Sequence, residues 1–166
     1  MREILQVRFG EIFLKGSNRP YFMRMLVERI RNAVKELNGH VWLSDSRVYV
    51  SDLSDMEEGI RKVGKVFGVH SLCRALELPK DDFNAICEAA VQLVEDHHGT
   101  FKVNARRSDK RYFMDSPSIN MEVGHYVLEK RPDLTVDVHN PELVISVEIR
   151  DQAYVYVKVV PAVGGM

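Results

Sequence analysis

Cysteine is scarce, with two residues in 166, Cys73 and Cys87. Both lie in apolar stretches (SLCRAL and NAICEAA), which suits two buried reduced thiols and excludes a disulfide framework. No CxxC or HExxH pattern occurs. Of the six histidines only His97 and His98 are adjacent. Neighbours on a helix point about 100° apart, so no metal site is expected. No apolar run approaches the ~20 residues that cross a bilayer, and no membrane partner is expected. The N-terminus, MREILQVRFGEIFLKG, lacks the apolar core and cleavage site of a signal peptide, so a cytoplasmic location is expected. The one glycine pair is Gly164-Gly165 at the end of the chain. There is no glycine-rich phosphate loop, no serine-centred elbow and no Cys/His arrangement. Catalytic residues are therefore not expected, and no internal repeat or low-complexity segment is present.

Charge is what the sequence does have, and it is unevenly placed. Hydrophobic residues make up 45% and charged residues 28%, and the net charge is −1. A protein that coats nucleic acid indiscriminately is excluded, but a local patch is not. Met1–Arg31 holds seven basic residues against three acidic ones. FKVNARRSDKR (Phe101–Arg111) holds Lys102, Arg106, Arg107, Lys110 and Arg111 against Asp109 alone. The compensating acids sit in Asp52–Glu58 and Glu77–Asp96. Such segregation is what a face that docks a polyanion requires.

The elements follow from periodicity. Glu3–Phe9 reads as a strand, and Pro20 belongs to the first turn of a helix. Phe22, Leu26, Ile30, Ala33 and Leu37 form its inward stripe, and Asn38-Gly39 stops it. His40–Leu43 and Arg47–Val50 read as strands joined by a turn at Ser44-Asp45-Ser46. Ser54 with Glu57 is the expected capping box of a short helix using Met56, Ile60 and Val63. Val69–Leu78 closes a β-α-β-β-α-β order, the ferredoxin-like pattern. Pro79 marks the expected boundary, giving domains 1–78 and 79–166. Asp81 or Asp82 caps the next helix, which turns Phe83, Ile86, Ala90 and Leu93 inward. The basic strand follows, with Phe101, Val103 and Ala105 on one side and Lys102, Asn104 and Arg106 on the other. Ser116-Pro117 opens a helix with Ile119, Val123 and Val127 inward, ending before Pro132. Leu134–Val138, Leu143–Arg150 and Ala153–Val160 are the last strands, an α-β-α-β-β-β half. The fold class is α+β.

Two basic sites emerge. Lys15, Asn18, Arg19 and Arg24 gather at a helix start, where unpaired N–H groups favour anions, and Gly16 lets the backbone approach a ligand. The alternative is a solvated loop in which Asn18 only caps the helix. The other site is Lys102, Asn104, Arg106, Arg107, Lys110 and Arg111, with Tyr112 and Phe113 beside it as stacking candidates. Its alternative is a solvated edge strand kept from aggregating by charge.

GEIFLKGSNRPYF (Gly10–Phe22) resembles the entry segment of the tRNA 4-thiouridine synthetases, or tRNA sulfurtransferases: GE, a few residues, KG, one residue, NR, two residues, F. FKVNARRSDKRYF and VDVHNPELVISVEIR resemble the THUMP domain that follows it there. VVPAVGGM resembles the start of the linker to an ATP-pyrophosphatase domain. The resemblance covers essentially the whole chain. It implies an N-terminal ferredoxin-like domain followed by a THUMP domain, together docking the acceptor stem and 3′ CCA end of tRNA. It implies tRNA modification, with 4-thiouridine made at position 8, and a link to thiamine biosynthesis. ATP and Mg belong to the further domain, and no cofactor is expected within these residues. The implied partners are tRNA, that domain, a cysteine desulfurase or another persulfide donor, and a second copy of the chain. Lys15, Gly16, Asn18, Arg19, Lys102, Arg106, Arg107, Lys110 and Arg111 match the family's motifs, while Asn140-Pro141 matches as a turn. Two alternatives stand beside it: a THUMP module of another RNA modifier such as a methyltransferase, and a ferredoxin-like regulatory module for a small ligand.

Overall fold

Alternation in REILQVRF and the apolar stripe after Pro20 produce a strand and a helix, and the rest of the first half follows the expected order. The computed structural model describes residues 1–10, 18–44 and 46–163. In the first unit, β1 is Arg2–Phe9, α1 Arg19–Ala33, β2 His40–Ser44, β3 Arg47–Ser51, α2 Met56–Val63 and β4 Val69–Leu78. The strands lie in the order β2-β3-β1-β4, the arrangement of a ferredoxin-like sheet. β3 runs antiparallel to β1, with Gln6 opposite Tyr49, and to β2, with Trp42 opposite Tyr49. Leu5, Val7, Val48, Val50 and Leu72 meet the helices in one core with Met23, Leu26, Val27, Ile30 and Val63.

The inward stripe of α1 is rotated from its expected position. Met23, Leu26, Val27 and Ile30 are the buried residues, whereas Phe22 is 38% exposed. Counting every fourth residue from Phe22 misses Met23 and Val27, because a packed face combines three- and four-residue steps. The α-helix also ends at Ala33, and a single 3-10 turn at Lys35–Leu37 takes over. Asn38 then adopts a left-handed conformation at φ 60°, as expected of a stop at that site. The cap of α2 lies one residue beyond the expected capping box. Asp55, not Ser54, accepts from the N–H of Glu58 at 3.1 Å. An aspartate is at least as good a cap as a serine, and here it stands next to the first helical residue.

The second unit begins inside β4. It contains α3 at Phe83–Leu93, β5 at Thr100–Arg107, α4 at Ser116–Lys130, β6 at Thr135–Val136, β7 at Leu143–Ile149 and β8 at Ala153–Tyr156. β5 runs parallel to β7 along its whole length and to β6 at Thr100 and Phe101. β8 returns antiparallel against β7 and against the end of β4. Asp82 caps α3 by accepting from Ala85 N, and Asp115 caps α4 by accepting from Ser118 N. Ile119, Val123 and Val127 are buried as expected. On α3, Ile86, Cys87, Ala89 and Ala90 are buried, while Phe83 and Leu93 are half-buried at the rim. Both cysteines are buried free thiols.

The expected boundary lies after Leu78, and the compact units divide a few residues earlier. One unit is Glu3–Arg74 with the chain from Val159, and the other is Met1–Arg2 with Ala75–Lys158. The cause is the last expected strand, Ala153–Val160, which is two strands. β8 stops at Tyr156, and β9 (Val159–Pro161) pairs antiparallel with Ser71–Cys73 in the first half of β4. β4 is ten residues long, so its two halves can serve different partners.

Candidate nucleic-acid interface

In the second unit β5 alternates as its sequence requires. Phe101, Val103 and Ala105 enter the core under α3 and α4. Lys102 and Asn104 are half-buried between them and Arg106 is exposed. Asn120 on α4 accepts the N–H of Ala105 at 2.8 Å through its side-chain oxygen, which ties α4 to β5 where β6 no longer pairs with it. The alternative of a bare edge strand therefore describes only part of β5. Lys102, Arg106 and Lys110 have no ion-pair partner among the described residues. Arg107 is different. It is half-buried and turns back to donate to Lys110 O at 3.5 Å. Its charge also adds to the Ser118 hydroxyl and N–H that hold the Asp115 carboxyl below its usual range.

The loop after β5 is built rigidly. Ser108 N donates to Ile149 O at 2.9 Å. The Lys80 ammonium donates to Asp109 at 2.7 Å and to Arg150 O at 3.4 Å. Asp109 also accepts from the N–H of Arg111 at 3.0 Å. Lys80 first, and that N–H second, hold the Asp109 carboxyl below the usual carboxylate range. Asp109 is thus spent on Lys80, and Arg111 only grazes it at 4.0 Å with a side chain 97% exposed. Tyr112 is buried and donates its hydroxyl to Lys80 O at 2.8 Å. Phe113 stands out at 67% exposure. Of the two stacking candidates, then, Tyr112 anchors the loop and only Phe113 is available.

The sequence reading missed two features of this unit. A groove of about 460 Å³ runs beside β5, lined by Phe101, Lys102 and Val103, by Pro117, Asn120, Met121, Gly124, His125 and Leu128 of α4, and by Val136 and Val138. Its volume lies in the range of small-molecule sites. The second feature is Glu148, almost fully buried and in register with Arg106. It accepts from the hydroxyl of Tyr156, and Arg150 approaches it at 4.0 Å. The sequence reading took Leu143–Arg150 only as a strand and gave no sign that this part of the sheet is buried.

In the first unit Lys15 and Gly16 lie outside the described residues. Asn18 occupies the N-cap position of α1, where the alternative reading put it, without a side-chain capping bond. Arg19 donates to the Ser46 hydroxyl at the β2–β3 turn. Arg19, Pro20, Met23, Arg24, Leu43 and Ser46 line a shallow depression of about 380 Å³. Arg19 and Arg24 are thereby brought together at the start of α1, as expected. A further basic pair went unseen: Arg47 donates to the buried Gln6 side-chain oxygen at 2.9 Å and Arg8 reaches the same atom at 3.4 Å.

Comparison with known proteins places these two units. The family model for the ThiI ferredoxin-like domain matches residues 4–73, and that for the THUMP domain matches residues 80–158. Among curated relatives, a probable tRNA sulfurtransferase of Acetivibrio thermocellus is 38% identical over the whole chain, and one of Moorella thermoacetica is 41% identical over 98% of it. The chain spans 44% and 42% of the lengths of these relatives. A crystal structure of a 4-thiouridine synthetase–RNA complex with bound ATP superposes with a TM-score of 0.83 at 27% identity, over 98% of this chain and 42% of that one. PH1313 from Pyrococcus horikoshii gives 0.84 at 27% identity, over 96% and 55%. The chain is thus a ThiI ferredoxin-like domain followed by a THUMP domain, similar along its whole length to part of the probable tRNA sulfurtransferases.

Proposed function

We propose that this chain is the tRNA-docking part of an ATP-dependent sulfurtransferase that makes 4-thiouridine at position 8, and that it takes the acceptor stem and 3′ CCA end. The observation that carries this reading is the braced basic strand and loop of the THUMP unit. Its cations Lys102, Arg106 and Lys110 are left without carboxylate partners among the described residues, and unneutralised cations are what a phosphate backbone selects. The relative whose structure contains RNA supports it. The groove beside β5 has room for an unpaired nucleotide, and Asn120 and His125 on its wall offer polar contacts. Arg19 and Arg24, with Lys15, supply the phosphate contacts of the first unit.

The 166 residues offer no glycine-rich phosphate loop and do not fit ATP with Mg. In this reading the nucleotide chemistry belongs to an ATP-pyrophosphatase domain beyond them. A cysteine desulfurase or similar persulfide donor, and a second copy of the chain, complete the set of partners. A methyltransferase's RNA-binding module has fold likeness alone in its favour, since the structure named as "SMU.472, a putative methyltransferase" shares 18% identity at a TM-score of 0.55.

The test is binding of an acceptor-stem minihelix with an intact CCA end to the chain. Arg106→Ala with Lys110→Ala is expected to weaken it about tenfold or more at moderate salt, at roughly 1 kcal/mol per phosphate contact. Unchanged affinity in this double variant would remove the basic strand and loop from the reading.

A further inference from the structure

We propose that Phe113 is a stacking platform for an unpaired nucleobase, set on the rim of the basic loop; this rests on the tRNA-docking reading above and names a contact that reading lacks. Isolated exposed apolar side chains are ordinary, so exposure alone would say nothing. Three further observations make Phe113 different.

Its base is fixed. Tyr112 is buried and hydrogen-bonded to Lys80 O at 2.8 Å, and Lys80 is in turn paired with Asp109. Its ring is braced. Phe113 lies 4.7 Å from the Tyr112 ring at a tilt of 49°, and 6.1 Å from the half-buried Phe83 ring at 83°. The second is the edge-to-face arrangement that aromatic pairs favour. Finally, the residues beside it are cationic: Lys110 and Arg111 precede it, both exposed.

The chemistry selects the occupant. An apolar protein partner would need a broad apolar patch, yet Phe113 is flanked by charge and by aromatics already turned into the core. A nucleotide offers a flat π-face and a phosphate one backbone unit away, which matches an exposed ring preceded closely in the chain by one ammonium and one guanidinium group. A paired base within a duplex has no free face, so the ligand is an unpaired nucleotide of the RNA. Stacking on a pre-braced ring needs no ordering of the ring on binding, which favours affinity.

The experiment compares the wild-type chain with Phe113→Ala, Phe113→Leu and Phe113→Trp, binding two RNAs: an acceptor-stem minihelix with a single-stranded 3′ end and the same duplex with a blunt end. Melting curves confirm that each variant is folded, which the exposure of the residue favours. Phe113→Ala and Phe113→Leu are expected to weaken the tailed RNA roughly tenfold and to leave the blunt duplex unchanged. Phe113→Trp is expected to keep the affinity, with fluorescence quenched by the tailed RNA beyond the change given by Trp42 in the wild type. Three results would overturn the proposal. Unchanged binding in the alanine and leucine variants, with the Arg106/Lys110 double variant still weakened, removes the stack and leaves tRNA docking standing. Retained affinity in Phe113→Leu shows an apolar contact without stacking. No binding of either RNA to the wild type sinks both readings together.

Discussion

At the scale of single residues, Arg131 shows how one side chain fixes the frame that carries β5. It donates to the carbonyls of Val94 at 2.8 Å, Glu95 at 3.3 Å and His97 at 2.7 Å in the turn that follows α3. It also pairs with Asp133 at 2.9 Å. Arg131→Ala removes three hydrogen bonds at once and should lower the midpoint of denaturant unfolding. Asp133 gives the pH signature of the same cluster. Chiefly the bond from Arg131 pulls its carboxyl down from 3.8 to about 2. A depressed acid stabilises the fold above its ordinary value and loses that stabilisation as pH falls through the lowered one. The stability gap between wild type and Asp133→Asn should therefore be constant from neutral pH down to about 4 and close as pH approaches 2. A gap that instead widened toward acid would show that Asp133 is held protonated, contrary to the geometry.

At the scale of elements, β5 depends on how it is entered. Gly99 sits at φ +142°, and a Cβ there would stand 2.4 Å from a carboxylate oxygen of Glu142. That carboxylate accepts from the Thr100 N–H at 3.0 Å and from the Thr100 hydroxyl at 3.2 Å. Gly99→Ala would thus both strain the backbone and displace the bond that starts the strand. A loss of about 2 kcal/mol is expected, which calorimetry would read as a fall in Tm of roughly four to eight degrees; an unchanged Tm would show that the entry to β5 is not tied in this way. Elements of this kind were largely legible in the sequence. Hydrophobic alternation, prolines at helix starts and aspartate caps named the strands and helices in order. What stayed hidden had physical causes. Met23 and Val27 were missed because the true face of α1 lies between two plausible stripes. The break between β8 and β9 was missed because Ala153–Val160 is apolar apart from Lys158 and reads as one run, and only the pairing of Val159–Pro161 with Ser71–Cys73 reveals it. The basic loop was visible as composition. Its bracing by Lys80 was not, since Lys80 and Asp109 are 29 residues apart. For the same reason sequence alone could not separate the anchored Tyr112 from the exposed Phe113.

At the scale of the whole molecule, a net charge of −1 makes any attraction to RNA a matter of local charge. Averaged over its surface this protein would be neutral to weakly repelled by a polyanion. Binding must then come from cations left uncompensated, and those cations should govern its salt dependence. Each phosphate neutralised contributes about 0.7 to 0.9 to the slope of log affinity against log salt. Arg106→Ala with Lys110→Ala should flatten that slope by about 1.4 to 1.8, since both residues lack ion-pair partners among the described residues. Arg61→Ala is the matched control. Arg61 is equally exposed but already paired with Glu58 on the same face of α2, so its removal should leave the slope unchanged. Equal flattening by both changes would mean that RNA senses only the total charge, and that the segregation written along the chain has no role in where it docks.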